Sequence, residues 1–218
     1  THTHYRSSAA SDVYKRQQSL YPAPGRRDTR AMNDASYLTG QFLIAMPGLG
    51  DPNFDHTVTY ICDHNEDGAL GIVVNRPTDM TLGQVLHQME LPAKEDSVGA
   101  QPVMQGGPVQ PERGFVVHDS GAEYASTLEV AGGVRITTSK DILEALAAGT
   151  GPRRCLFALG YAGWAEGQLE TEMSANAWLT VPGDPEILFD TPIANRWRRA
   201  AELIGVDITA LSSGAGHA

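Results

Sequence analysis

The chain has 218 residues, 41% hydrophobic and 19% charged, which suits one globular domain or at most two. No apolar run approaches the ~20 residues of a membrane span, so no membrane partner is expected. Two cysteines, Cys62 and Cys155, cannot build a disulfide scaffold and fit a reducing, cytoplasmic setting.

Charge is uneven. Residues 1–31 hold six Lys/Arg against two Asp/Glu, leaving ten against 24 and a charge of −14 for the rest of a chain whose total is −10. Such a domain repels phosphate backbones, so direct nucleic-acid binding is disfavoured. The densest basic group, Arg196, Arg198 and Arg199, reads as the solvated face of a helix. Residues 1–31 show no helical or strand period and contain SSAASDVYKRQ, which reads as a translated library adaptor. They are expected to be a disordered leader packed against nothing, with Met32 as the natural start. A single domain is expected over residues 32–210, and residues 211–218 as a flexible tail.

Gln41 to Met46 predicts a strand. The following PGLGDPNF lacks the third glycine of a dinucleotide loop and reads as structural. From Asp55 to Pro77, DHTVTYICDHNEDGALGIVVNRP reads as strand, turn, strand. So apolar a hairpin belongs at the centre of a sheet, with Pro77 ending its second strand. Asp63, Asn65, Asp67 and Gly68 match the first half of a calcium loop. The twelfth position is Val74 rather than Glu and the flanks are strands, so a polar turn is expected and no metal. Thr81 to Gln84 is a T-x-x-Q capping box, opening a helix with Leu82, Val85, Leu86 and Met89 on one face.

LPAKEDSVGAQ reads as a polar connection. Strands are expected at Pro102 to Gln105 and Gly114 to His118. A hairpin follows, Leu128 to Val130 with Val134 to Thr138, turning at Gly132-Gly133. Ser139 is expected to cap a helix that Gly149 stops. Cys155 to Leu159 reads as a strand buried on both faces, and Gly160-Tyr-Ala-Gly-Trp164 as the point where the chain leaves the interior. A helix carrying Leu169 and Met173 follows. Trp178 to Val181 and Glu186 to Phe189 are read as the last strands. Thr191-Pro192 should open a final helix with Ile193, Trp197, Ala201 and Ile204 buried. Paired strands with interspersed helices and no regular βαβ rhythm argue for α+β.

Catalytic signatures such as G-x-S-x-G, H-E-x-x-H, a P-loop or paired C-x-x-C are absent, and no cofactor is expected. Cys62 and His64, i and i+2 on a strand, would share a face and could form a thiolate–imidazole pair; alternatively Cys62 is core and His64 a turn residue. His118 could act as a base or be hydrogen-bonded structurally. Asn75-Arg76 could present a guanidinium to an anion or make a structural salt bridge. Tyr161 and Trp164, with Gln168 and Glu170 following, could border a concave partner or ligand surface together with the Asn75-Arg76-Pro77 strand end, or close the core.

FLIAMPGLGDPNF, YICDHNEDGALGIVVNRP, GGPV, GYAGWAEGQLE and IANRWRRAAELIGVDI resemble the YqgE/AlgH family of bacterial proteins over residues 38–217. The resemblance implies a single α+β domain with a small β-barrel and a bifurcated sheet surrounded by helices. It implies a regulatory role, since one member is described as a transcriptional regulator of alginate production, but no DNA-binding motif and no catalytic residues to carry over. The function expected is therefore a non-catalytic module that binds an unknown protein or small molecule, with an enzyme using Cys62, His64 or His118 as the alternative.

Overall fold

The computed structural model describes residues 37–47, 49–119 and 121–206; the leader over 1–31 and the tail over 211–218 lie outside them. In chain order the elements are β1 (Gln41–Ala45), β2 (Val58–Asn65), β3 (Gly68–Val73), β4 (Pro77–Thr81), α1 (Leu82–Gln88) and α2 (Asp96–Gly99). Then come β5 (Pro102–Gln105), β6 (Val109–His118), β7 (Thr127–Ala131), β8 (Val134–Thr137) and α3 (Lys140–Ala148). Last are β9 (Cys155–Ala165), α4 (Gln168–Ser174), β10 (Trp178–Pro182), a π-helical turn (Glu186–Asp190), a 3-10 turn (Ile193–Asn195) and α5 (Arg196–Glu202).

The strands form one sheet in the order β10-β1-β2-β3-β9-β6-β8-β7, with β4 and β5 branching from it. The branch lies on β9. One side of β9 is lined by β6. On its other side Phe157 to Leu159 run parallel to β5, and Ala162 to Ala165 run antiparallel to β3. The sheet also curls: a Cβ on Gly40, just before β1, would lie 2.4 Å from the Cβ of Ala131 in β7. Among the described residues no ladder joins β7 to β10, so the expected small barrel is a half-barrel. Its concave face, including Phe42, Tyr60, Ile72, Phe115 and Ile136, is closed by Ile187 and Leu188 of the π turn and Ala200 and Ala201 of α5. The convex face carries two smaller cores, one under α1 and α3 and one under α4.

The local signals hold where they rest on specific chemistry. Thr81 and Gln84 form the reciprocal capping box, and Leu82 and Leu86 are buried. The β2–β3 hairpin lies between β1 and β9, and its turn is tighter than expected because β2 runs on to Asn65 and pairs with Gly68. Both cysteines are free thiols.

Other expectations change. Gly160 to Trp164 does not leave the interior, because β9 continues to Ala165. Glu186 to Phe189 is a π turn, since Pro185 is already αR and the Thr191 amide closes back on the Glu186 carbonyl at 2.8 Å. It buries the adjacent pair Ile187 and Leu188, which one face of a strand cannot do. Pro192 is extended, so the last helix starts at Arg196 through a 3-10 turn, and Ile204 of the expected stripe is 41% exposed. Ser139 sits at the start of α3 without capping it: its hydroxyl donates to Asp141, whose carboxylate accepts from the Ile142 amide. Residues 96–99 of the polar connection form a helical turn, and Pro77 opens β4 after β3 has ended at Val73.

The branch depends on a backbone crossing without side chains. A Cβ on Gly106 would meet the Gly160 carbonyl at 2.3 Å, and one on Gly160 (φ +73) would meet the Gly107 carbonyl at 2.5 Å. Gly132 has a similar φ of +60 but nothing within 4 Å, so it isolates the crossing from the backbone penalty. Gly132→Ala should cost about 1 kcal/mol. Gly160→Ala should cost at least about 3 kcal/mol or prevent folding, as read by urea unfolding. Equal losses would mean that the crossing relaxes freely.

Candidate functional site

Two consecutive side chains between β3 and β4 fix the loop that precedes β2. Asn75 accepts from the Val58 amide and donates to the His56 carbonyl, both at 2.8 Å. Arg76 donates to the carbonyls of Pro52, Asn53 and Asp55 at 3.0, 2.7 and 3.2 Å. The Phe54 carbonyl accepts from the Thr57 amide and hydroxyl. Every carbonyl from 52 to 56 is thus held by the protein, and His56 adopts φ 55. The structural salt bridge considered for Arg76 is replaced by hydrogen bonds to backbone, which commit three of its five donors.

This loop delivers Phe54 to a pair of tryptophans. Its ring stacks on Trp164 (centroids 6.2 Å, 27°) and meets Trp178 edge-on (5.4 Å). Trp164 at 6% exposure and Trp178 are core residues on the convex face. Both indoles donate to one oxygen of Glu172, at 2.9 Å from Trp164 and 2.8 Å from Trp178. Gln168 donates to the other Glu172 oxygen at 2.9 Å and accepts from the Ala165 amide at 3.0 Å. One turn of α4 is therefore written onto the end of β9 through polar atoms.

Glu170 joins the same face through His64. The His64 Nδ1 accepts from the Leu38 amide at 3.0 Å, so Nε2 carries the hydrogen and donates to Glu170 at 2.8 Å. The pairing of His64 with Cys62 does not occur. Ile61 faces Gly71 and Asp63 faces Leu70, leaving Cys62 as the extra residue of a β-bulge, which breaks the two-residue alternation. Cys62 points into the half-barrel core at 1% exposure, donates to the Tyr60 carbonyl, and has its thiol pushed well up by burial. His64 lies on the convex side.

Of the residues singled out from sequence, Trp164, Gln168 and Glu170 thus meet on one face, and Asn75 and Arg76 reach it only through Phe54. Tyr161 faces the other way, edge-on to Phe115 in the half-barrel core. An open depression lies apart from them, lined by Met80, Thr81, Gly83, Gln84, His87 and Gln88. Glu172, Phe54 and Trp178 were not singled out. Only Glu172 had a readable signal, being four residues after Gln168 on a helix.

His118 is fully buried, and a relay sets its tautomer. The Thr127 hydroxyl donates to the Tyr124 carbonyl, the Thr137 hydroxyl to Thr127 at 2.8 Å, and His118 Nε2–H to Thr137 at 2.9 Å. Burial, and then the charge of Arg135, pull the His118 pKa below its ordinary value. Cys155, directly opposite on β9, has its thiol pushed up to about 11 by burial, which leaves little thiolate at neutral pH. The basic group on α5 is also internal in part. Arg196, at 5% exposure, donates to the carbonyls of Thr191 and Val74 and is lowered to about 10 by desolvation, while Arg198 and Arg199 pair with Glu202.

Two measurements follow from this geometry. Trp164→Ala should cost about 3–5 kcal/mol of stability; an unchanged denaturation midpoint would mean the ring is not core. The His118 pKa is lower in the folded state, so the unfolded chain binds a proton near pH 6.5 that the native state refuses. The associated stability is complete above that value and is lost as pH falls toward the folded pKa. His118→Gln, which can still donate to Thr137, should flatten the decline of the melting midpoint below about pH 6.5; an identical decline in the variant would exclude His118 as its source.

The AlgH-like family model, DUF179, matches residues 42–209. A UPF0301 protein of Methylococcus capsulatus is 53% identical over 185 residues, 85% of this chain and 98% of that protein. One of Thioalkalivibrio sulfidiphilus is 55% identical over 188 residues, 86% and 100% respectively. The solution structure of the AlgH protein from Pseudomonas aeruginosa superposes with a TM-score of 0.70 at 50% identity, covering 87% of this chain and all of that one. A crystal structure from Corynebacterium diphtheriae has a TM-score of 0.63 at 20% identity over 83% of this chain and 94% of that one, a likeness of fold alone.

Proposed function

We propose a function from one premise, that this chain belongs to the AlgH-like family: it is a non-catalytic regulatory module that binds a protein or small-molecule partner on the face made by α4. The observation that carries this reading is the convergence of Gln168, Glu170 and Glu172 over the Phe54, Trp164 and Trp178 rings. Polar groups, of which Gln168 and Glu170 are exposed and Glu172 half-buried, on a rigid aromatic floor are the composition of partner-binding surfaces. The alternative, an enzyme using Cys62, His64 or His118, is weakened by the bulge that parts Cys62 from His64 and by the full burial of His118.

Any role in transcription is indirect on this reading. A duplex-binding face needs free cations to neutralise phosphates, whereas Arg196 is internal and Arg198 and Arg199 face Glu202. A cytoplasmic location fits two free thiols.

Gln168 and Glu170 are both exposed, so Gln168→Ala with Glu170→Ala should leave the melting midpoint within about 3 °C of wild type, a shift of about 1 kcal/mol. A partner captured by wild type, identified and titrated as a purified species, should bind this double variant with an affinity at least about tenfold different, or about 1.4 kcal/mol. Equal affinity would remove the α4 face from the function.

A further inference from the structure

Helix α4 is attached to the molecule by its polar side chains more than by its apolar ones. It spans seven residues and buries one of them, Leu169, with Met173 partly covered. Its remaining anchors are the two indole N–H groups on Glu172, the His64–Glu170 bond and the Gln168 contact with the Ala165 amide. No side chain caps its N-terminus. Left-handed residues bracket it, Gly167 at φ 70 and Asn176 at φ 57, and Gly167 has nothing within 4 Å of where a Cβ would stand. An element with little buried apolar surface and a left-handed residue flanking each end belongs to the low-stability end of a structure.

Beneath it the floor is finished without it. Phe54 is positioned by the loop that Asn75 and Arg76 hold, and Trp164 and Trp178 stand on strands β9 and β10 with ring centroids 6.0 Å apart. Lifting α4 would leave two convergent indole donors without an acceptor beside an apolar seat vacated by Leu169. Unpaired donors at an apolar surface strongly favour a replacement acceptor.

We propose that α4 is a hinged lid latched by Glu172, and that the site it covers takes a short acidic amphipathic helix from a partner protein. This rests on the binding reading above and names the partner's chemistry. The lid itself defines the ligand: a leucine in the seat and, three residues on and on the same helical face, a carboxylate between two indoles. A partner helix with Leu and Glu at that spacing replaces these contacts one for one, the helix-in-groove mode of recognition. The closed lid is then an autoinhibitory contact, and binding requires its release.

Hydrogen exchange on the wild-type chain tests the lid directly, because the amides of Thr171, Ala175, Asn176 and Ala177 are all hydrogen-bonded in the closed form. They should exchange at least about 100-fold faster than the paired amides of β9, and Glu172→Ala should accelerate them further while β9 is unchanged. A labelled peptide EGQLETEMSANA, the sequence of residues 166–177, should bind the Glu172→Ala chain at least about tenfold more tightly than wild type. The same peptide with its latch glutamate replaced by alanine should not bind. Should Glu172→Ala fail to fold, Glu172→Gln carries the peptide comparison, and the wild-type exchange stands by itself. The proposal is overturned if α4 amides are as slow as those of β9, or if the peptide binds equally with and without its carboxylate. The Gln168/Glu170 double variant loses two of the lid's anchors and should bind the partner at least about tenfold more tightly. Slow α4 exchange alongside weakened partner binding by that variant removes the lid and keeps the binding face. Unchanged partner binding removes the binding face and the proposal with it.

Discussion

The close crossing of Gly106 and Gly107 with Gly160 is the constraint on which the rest of the molecule depends. At this point β9 exchanges one neighbour for another. The Gly106 amide donates to the Leu159 carbonyl, and the Gly106 carbonyl accepts from the Val73 amide, both at 2.8 Å. One residue therefore ties β9 to β3 where β5 ends, and the backbones approach to distances at which any Cβ would collide. Without that junction β5 and β3 could not share one edge of β9. The convex face would then not divide into a core under α1 and α3 and another under α4.

A second device sorts side chains between the faces. The bulge at Cys62 lets β2 supply Tyr60 and Cys62 to the half-barrel interior and still turn His64 outward to meet Glu170. Strict alternation would have put His64 inside with Cys62. The bulge thus removes one imagined catalytic pair and creates one of the anchors of α4. The loop over residues 52–56 shows similar economy: its carbonyls, with no strand partner, are satisfied by Asn75, Arg76 and Thr57.

What was legible in the sequence was short-range. The capping box at Thr81 and Gln84, the Gly132-Gly133 hairpin and the central position of the β2–β3 hairpin follow from hydrogen-bonding and conformational preferences acting over a few residues. The family resemblance supplied the bifurcated sheet. Gly160 to Trp164 misled because glycines that usually mark turns here permit a crossing inside a long strand. Glu186 to Phe189 misled because an apolar run as short as Ile187 to Phe189 cannot distinguish strand from helical turn. The site was legible only in pieces. Trp164, Gln168 and Glu170 stood out locally, but Glu172, Phe54 and Trp178 acquire meaning only when three distant segments meet.

The place of β9 in the chain has a kinetic consequence. This strand joins β3, β5 and β6, yet it is made of residues 155–165 and leaves the ribosome after all three. The outermost pairing is later still, since Gln41 of β1 faces Pro182 of β10. During synthesis the β2–β3 hairpin and the β7–β8 hairpin can form on their own, but the apolar edges awaiting β9 stay open for most of translation. Long-range strand pairing of this kind slows folding and leaves edges exposed to association. The nascent chain, rather than the finished domain, is therefore where this architecture is most vulnerable and where a holding chaperone would have most to shield.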